Sequence, residues 1–391
     1  MAMRSLRALA TAQRPWLRRS LTHRPTHPSR TWLLTLNGAG GTRKLHLAPF
    51  VMPPLIFSGL FLALWCWKCA MLVLFQNTII YNPFLPPNAR SMRIADFARE
   101  CGGLEWREER IQSLDGTNIA LCVTEVPPRS QASATVTPVY ILYFQGNASS
   151  LPPRLPDISR ILQRLQDANE ASHYTVVCLS YRGFWTSHDR PSEPGINQDS
   201  QAALQWIAQL HQARRDGARS VAPVVVLWGQ SIGCGFATNL AAVEDVHRPV
   251  KVDALVLETP FTSTRAMLRA LYPQKWLPYQ YLWPFLRNHL DSWKNLGVIA
   301  QRAEERTTRI YIVEAGKDEL VPADHGAILY QRCRDVGLPV ERYTIPGALH
   351  NEAMVRPAGK RLIAQAISSA VASVASVRAA HQLRATQKKR G

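Results

Sequence analysis

Five stretches of the chain have unbroken apolar centres: PVYILYF from residue 138, YTVVCLSY from 174, APVVVLWG from 222, VDALVLE from 252 and RIYIVEA from 309. A strand with one face in water alternates apolar and polar residues; these do not, so both of their faces must be covered. The segments between several of them, LPDISRILQRLQDAN, DSQAALQWIAQLHQARR and SIGCGFATNLAAVE, carry helical spacing. Strands joined by helices return in the same direction, which implies a mostly parallel sheet with helices on both faces. Upstream, EWREERIQS and NIALCVTEV flank a turn at Asp115-Gly116 and read as a pair of strands, and VERYTIP closes the series. The expected α/β domain covers residues 96–376, with no internal repeat.

The amino-terminal region follows a different pattern. Residues 55–75, LIFSGLFLALWCWKCAMLVLF, contain Lys68 as their only charge. Such a run forms a helix of roughly 30 Å, the thickness of a bilayer core, and Lys68 lies near enough to one end to snorkel outward. Pro53-Pro54 precedes this expected transmembrane anchor and NPFLPPN follows it. Residues 1–50 hold nine Lys or Arg, and no acid occurs before Asp96. That leader reads as a mitochondrial transit peptide or as the basic cytosolic flank of a signal anchor. The corresponding membranes are the mitochondrial inner membrane and the endoplasmic reticulum. Residues 377–391 carry five more basic residues and are expected to be a disordered tail.

Of the net charge of +18, seventeen units sit in residues 1–95 and 377–391, so the central domain is nearly neutral. A nucleic-acid partner is therefore not expected, whereas a lipid bilayer is. The seven cysteines lack a framework spacing and read as reduced thiols. Cys66 and Cys69 have CxxC spacing, but in an apolar run that suits neither redox nor zinc chemistry. No metal or cofactor is expected.

The strand from residue 222 runs directly into Gly229-Gln-Ser231-Ile232-Gly233. A strand-to-helix turn tight enough to expose a serine brings the residues on either side of it against the backbone, and Gly229 and Gly233 carry no side chain to collide there. A serine hydroxyl is a poor nucleophile unless a base takes its proton and an acid orients that base. Asp318 follows RIYIVEA and His350 follows VERYTIP, so both lie at the same sheet edge as Ser231. The order Ser, Asp, His, each after a strand, is the order of α/β-hydrolases. Glu258, after VDALVLE, is a rival for the acid. His325 is expected on the helix after Asp318, and Asp199 at the start of a helix, compensating its dipole. Oxyanion donors are expected from the Ile232 amide and from Asn147 or Ala148, in the loop where Gly146 allows close approach. Asn147-Ala148-Ser149 is also a glycosylation sequon; a glycan there would block the site, so the match is read as chance. Residues 261–307 exceed one helix and hold Tyr272, Trp276, Tyr279, Tyr281, Trp283 and Phe285. They fit a lid insertion that accommodates lipid, or ordinary packing.

GQSIG, the run YRGFWTSHDRPSEPGINQDSQAALQWI, KDELVP and the LHN at residues 349–351 together resemble the membrane-anchored α/β-hydrolases of the fungal "bud emergence" type and their animal α/β-hydrolase-domain relatives. The resemblance covers about residues 70–375, and PSEPGINQDSQAAL is its most specific part. The family's oxyanion loop usually reads His-Gly-Asn, where this chain has Gln145-Gly146-Asn147. The resemblance implies an α/β-hydrolase fold and a serine hydrolase of fatty acyl esters or thioesters, some members being protein depalmitoylases. It implies Ser231 as nucleophile, Asp318 as acid partner and His350 as base. A peptidase of the same fold is a further reading within chemistry, but nothing in the sequence suggests the propeller or peptide-end binders such enzymes use. A catalytically silent membrane-tethered scaffold is the alternative of a different class. The oligomeric state stays open.

Overall fold

The computed structural model describes residues 48–129, 136–148, 150–215, 221–243, 250–302 and 307–388. Most of the basic leader, Ser149 of the sequon and the last residues of the tail lie outside these ranges. Two compact units divide the chain at Ser58/Gly59. Of the first, only residues 48–58 are described, as the opening turns of helix α1 (Ala48–Leu74).

Within α1, Phe50–Leu74 has a mean hydropathy of 1.8 and is long and apolar enough to cross a membrane. Pro53 and Pro54, expected ahead of the span, lie inside it. The helix starts earlier than its apolar run suggests, at Ala48, and the two prolines forfeit only bonds to its first carbonyls. A short helix α2 (Gln76–Tyr81) follows and ends at Asn82, whose φ of 42° is a left-handed stop.

The second unit is built on one eight-stranded sheet in the order β1-β2-β4-β3-β5-β6-β7-β8. The strands are β1 (Arg107–Gln112), β2 (Asn118–Val126), β3 (Thr137–Phe144), β4 (Ser172–Ser180), β5 (Val224–Gln230), β6 (Ala254–Glu258), β7 (Arg309–Ala315) and β8 (Val340–Ile345). Among the described residues only the β1–β2 and β2–β4 pairs are antiparallel; β4-β3-β5-β6-β7-β8 run parallel. Helices α3 (Leu155–Ala168), α4 (Glu193–Arg215), α5 (Ile232–Ala242), α6 (Thr264–Leu271), α7 (Ser292–Gln301), α8 (Asp324–Asp335) and α9 (Pro357–Lys388) complete it.

The unbroken apolar runs are explained by the two cores. Val225 and Leu227 of β5 pack with Phe236, Leu296 and Leu329 on one face. Val224, Val226 and Trp228 pack with Ile158, Leu162 and Ile367 on the other. Residues 224–228 of β5 thus all find apolar partners, and none of them is polar.

Chain order reverses direction at β3, which lies between β4 and β5. At such a switch point the connections leaving the carboxyl ends of neighbouring strands turn to opposite faces and leave a crevice between them. The loop after β3 and the turn after β5 border that crevice.

Two expectations are corrected. Asp199 does not open a helix, because α4 begins at Glu193, with Pro194 in its first turn. Its carboxylate is fully buried and accepts hydrogen bonds from the Arg182 amide and guanidinium, the latter at 2.7 Å. Residues 377–388 are not disordered but continue α9. Ala, Gln, Arg and Lys there are good helix formers, and no Gly or Pro stops the helix before Lys388. Within 261–307, α7 packs into the core through Leu296 and Ile299, whereas the 3₁₀ segment Pro278–Phe285 leaves Tyr281, Trp283 and Phe285 exposed. His325 lies on α8, as expected, and its Nδ1 accepts from the Thr262 amide at 3.3 Å.

Candidate active site

Ser231 occupies the single residue between β5 and α5, with φ 52° and ψ −116°. A non-glycine residue held there is strained, and the surrounding bonds must enforce it. The Ser231 amide donates to the Glu258 carbonyl at 2.8 Å, tying the turn to the end of β6. The two glycines meet the demand read from the sequence. A Cβ on Gly229 would stand 2.5 Å from the Gly233 carbonyl oxygen, and one on Gly233 would stand 2.2 Å from that of Phe144.

The structure brings together three side chains that lie 119 and 32 residues apart. His350 Nε2 is 2.8 Å from Ser231 Oγ, and His350 Nδ1 is 2.7 Å from Asp318 Oδ2. The other oxygen, Asp318 Oδ1, accepts from the Val321 and Leu320 amides at 2.8 and 3.0 Å. Burial raises the pKa of Asp318, but the hydrogen bonds from His350 and these amides outweigh it and hold the carboxyl below its ordinary value. An ionised carboxylate only accepts, so Nδ1 carries the hydrogen and Nε2 is left to accept from the serine hydroxyl. The His350 amide also donates to Glu319 Oε2 at 2.9 Å, a partner that sequence reading did not single out. Its adjacency to Asp318 in KDELVP was the available signal.

Glu258, the rival acid, does not bond the His350 ring. Its carboxylate lies behind the turn and accepts from the Met354 amide at 2.9 Å, Trp228 Nε1 at 3.1 Å and Gln230 Nε2 at 3.4 Å. Arg154 joins this buried cluster by donating to Gln230 Oε1 at 2.5 Å. Glu258 is fully buried, and that burial, only partly offset by Trp228 and the neighbouring cations, pushes its pKa up to about 7. An acid whose folded pKa exceeds its ordinary 4.5 retains a proton that the unfolded chain releases. Its contribution to stability is therefore complete below about pH 4.5 and is lost as pH rises through about 7. A shift of this size corresponds to about 3 kcal/mol. Glu258→Gln is expected to flatten that part of the decline in unfolding temperature between pH 5 and 8. An unchanged slope in a thermal-melt series would count against a neutral buried Glu258.

The loop after β3 corrects one detail of the expected oxyanion site. The Ala148 amide is occupied: it donates to Asn147 Oδ1 at 2.7 Å and to the Tyr81 carbonyl at 3.4 Å, with Ala148 at φ 57°. The Asn147 amide, and that of Ile232 at the start of α5, remain the candidate donors. Gly146 sits close to the buried cluster, where a Cβ would be 3.1 Å from Gln230 Oε1. Gln145, in the family's histidine position, is fully buried, and its carbonyl accepts from Tyr181 Oη at 2.7 Å.

A cavity of about 520 Å³ opens onto Ser231 and His350 and is lined mainly by apolar side chains. That lies within the roughly 300–1,000 Å³ typical of small-molecule sites. The run PSEPG also finds a role here. Glu193 accepts from the Leu290 amide at 3.1 Å and from the His289 amide, and Asn239 donates to it at 2.8 Å. It thereby holds the foot of the segment that overhangs the cavity.

The α/β hydrolase fold family is matched over residues 153–296. The α/β hydrolase domain-containing protein WAV2 of Arabidopsis thaliana is 30% identical over 271 residues, 67% of this chain and 77% of WAV2. Protein bem46 of Schizosaccharomyces pombe is 25% identical over 280 residues, 71% of this chain and 81% of bem46. The lysophosphatidylserine lipase ABHD12 of Danio rerio is 32% identical over 195 residues, 49% of this chain and 46% of that one. With its parallel sheet, its serine turn and this likeness along most of WAV2, the chain belongs to the α/β-hydrolase-domain family.

Proposed function

We propose that the protein is a membrane-anchored serine hydrolase that cleaves carboxylic esters or thioesters of acyl chains. The observation that carries this reading is the line Ser231 Oγ, His350 imidazole and Asp318 carboxylate, with contacts of 2.8 and 2.7 Å at the mouth of an apolar cavity. The zebrafish relative, by name a lysophosphatidylserine lipase, supports an acyl ester as the substrate class.

Ser231 Oγ attacks the acyl carbonyl carbon while His350 Nε2 takes its proton. Asp318 holds the imidazole in the accepting tautomer and stabilises the imidazolium. The negative charge on the carbonyl oxygen is met by the Ile232 and Asn147 amides, donors fixed before the reaction begins. Collapse of the tetrahedral intermediate breaks the bond to the alcohol or thiol, which leaves with the proton from His350. Water then attacks the acyl-serine, His350 takes one of its protons, and the carboxylic acid departs with Ser231 restored. No step in this sequence calls on a metal or cofactor.

The test is labelling of the full-length protein in detergent by a fluorophosphonate probe, beside Ser231→Ala. Labelling that disappears in the variant is the expected result. A folded wild type that takes no label would sink the hydrolase reading in favour of a silent membrane-tethered scaffold.

A further inference from the structure

The membrane helix enters the architecture of the cavity itself. Leu72 and Val73 of α1 and Ile80 of α2 line it together with Met267, Leu268 and Leu271 of α6. We infer that the carboxyl-terminal end of the membrane helix is a wall of the acyl-chain site, so that one acyl chain of a lipid-borne ester reaches Ser231 from the bilayer along the anchor. This rests on the serine-hydrolase reading above.

An anchor acting only as a tether needs no defined contact with the segment covering the site. Here the contact is specific and satisfied in both directions. Gln76 is buried; its Nε2 donates to the Phe285 carbonyl at 3.0 Å, and its Oε1 accepts from the Arg287 amide at 2.7 Å. Asn288 donates to Asn77 Oδ1 at 2.7 Å and accepts from Tyr81 Oη at 2.8 Å. The Arg287 guanidinium donates to the Val73 and Leu74 carbonyls at 3.1 and 3.0 Å, satisfying carbonyls that the end of α1 leaves without helical donors. These bonds join residues more than 200 positions apart, and the foot they hold is the one that Glu193 holds from the other side. The wall is therefore as fixed as the rest of the site.

The surroundings of the opening point to its source of substrate. Leu271 (62% exposed), Trp276 (71%) and Phe285 (60%) on the covering segment, with Ile79 (53%) after the anchor, leave apolar surface uncovered. Each costs free energy in water, by about 25 cal/mol per Å² of apolar surface, and none in a bilayer. Lys68, the one charge in the helix, lies 4.6 Å from the centre of the Tyr279 ring on the same segment. The segment thus meets the anchor both at the helix end and a further turn or two along it.

The experiment uses full-length protein in lipid nanodiscs and alkyl fluorophosphonates carrying a short or a sixteen-carbon chain. It measures the ratio of their labelling rates at Ser231. Leu72→Trp is expected to lower the long-to-short ratio at least tenfold, as Met267→Trp on α6 should. Leu64→Trp, on the same helix but 68% exposed and away from the cavity, should leave the ratio unchanged. Leu72→Phe, a smaller change, carries the same expectation at about threefold if the tryptophan variant does not fold. A ratio unmoved by Leu72→Trp while Met267→Trp lowers it would show that the anchor is not part of the acyl site. Ratios unmoved by both would remove the cavity as the chain's binding place. No labelling of the wild type by either probe would overturn the serine reading and this inference with it.

Discussion

Asp318→Asn is expected to lower kcat about 10⁴-fold with little change in unfolding temperature. The asparagine side chain has nearly the same shape, and its carbonyl oxygen can keep the Val321 and Leu320 amides. Its amide then faces His350 Nδ1 as a donor, and the imidazole turns to the tautomer whose Nε2 carries a hydrogen. That nitrogen can no longer take the Ser231 proton, so the loss falls on chemistry and not on folding. Glu258→Gln makes the contrast, because Glu258 bonds the Met354 amide and Trp228 and not the His350 ring. Near-normal turnover of Asp318→Asn, with a collapse in Glu258→Gln, would transfer the acid's role to Glu258. The measurement is steady-state hydrolysis of a chromogenic ester, with melting temperatures recorded beside it.

Gly233→Ala is expected to destabilise the domain by about 3–5 kcal/mol, a large part of the 5–15 kcal/mol by which domains are typically stable. In an ordinary helix interior the same change gains up to about 1 kcal/mol, so the sign itself is diagnostic. The added methyl would stand 2.2 Å from the Phe144 carbonyl oxygen and 2.8 Å from that of Gln145. Both are backbone atoms at the end of β3, so relief requires α5 to lift off the sheet or β3 to separate from β5. Either movement also displaces Ser231 and the Asn147 amide. A variant that melts within a degree or two of wild type would show that the turn is looser than its geometry implies. The matching change at Gly229, whose Cβ would stand 2.5 Å from the Gly233 carbonyl oxygen, should behave in the same way.

What could be read without the structure was local, or repeated along the chain. Apolar runs without alternation mark strands with two buried faces, and the two cores beside β5 show why Val224 to Trp228 had to read as they do. The glycines around Ser231 report a collision within five residues, and such sterics need no knowledge of distant chain. Ser231, Asp318 and His350 could be set on one edge because parallel strands deliver all their carboxyl ends there. The apolar run at residues 55–75 announced a membrane-length helix by length and hydropathy alone, though not that helix's start.

Other features depend on which distant groups meet, and residue type does not encode that. Asp199 looked like a helix-start acid, yet tertiary packing gave it Arg182 instead. The Ala148 amide looked available to a developing oxyanion until the Tyr81 carbonyl and Asn147 came to occupy it. Glu258 stands at the end of a strand, close to where a triad acid can sit, and only the fold turns its carboxylate into a buried cluster with Trp228 and Gln230. Nothing local announced that the residues following the apolar helix are tied to a distant segment, because Gln76 and Asn77 find Arg287 and Asn288 across more than 200 residues. Hydropathy, strand period and glycine sterics act over a few residues and so are written in the sequence. The pairing of polar groups is decided by whichever partners the packed chain leaves within 3 Å, and that belongs to the tertiary structure alone.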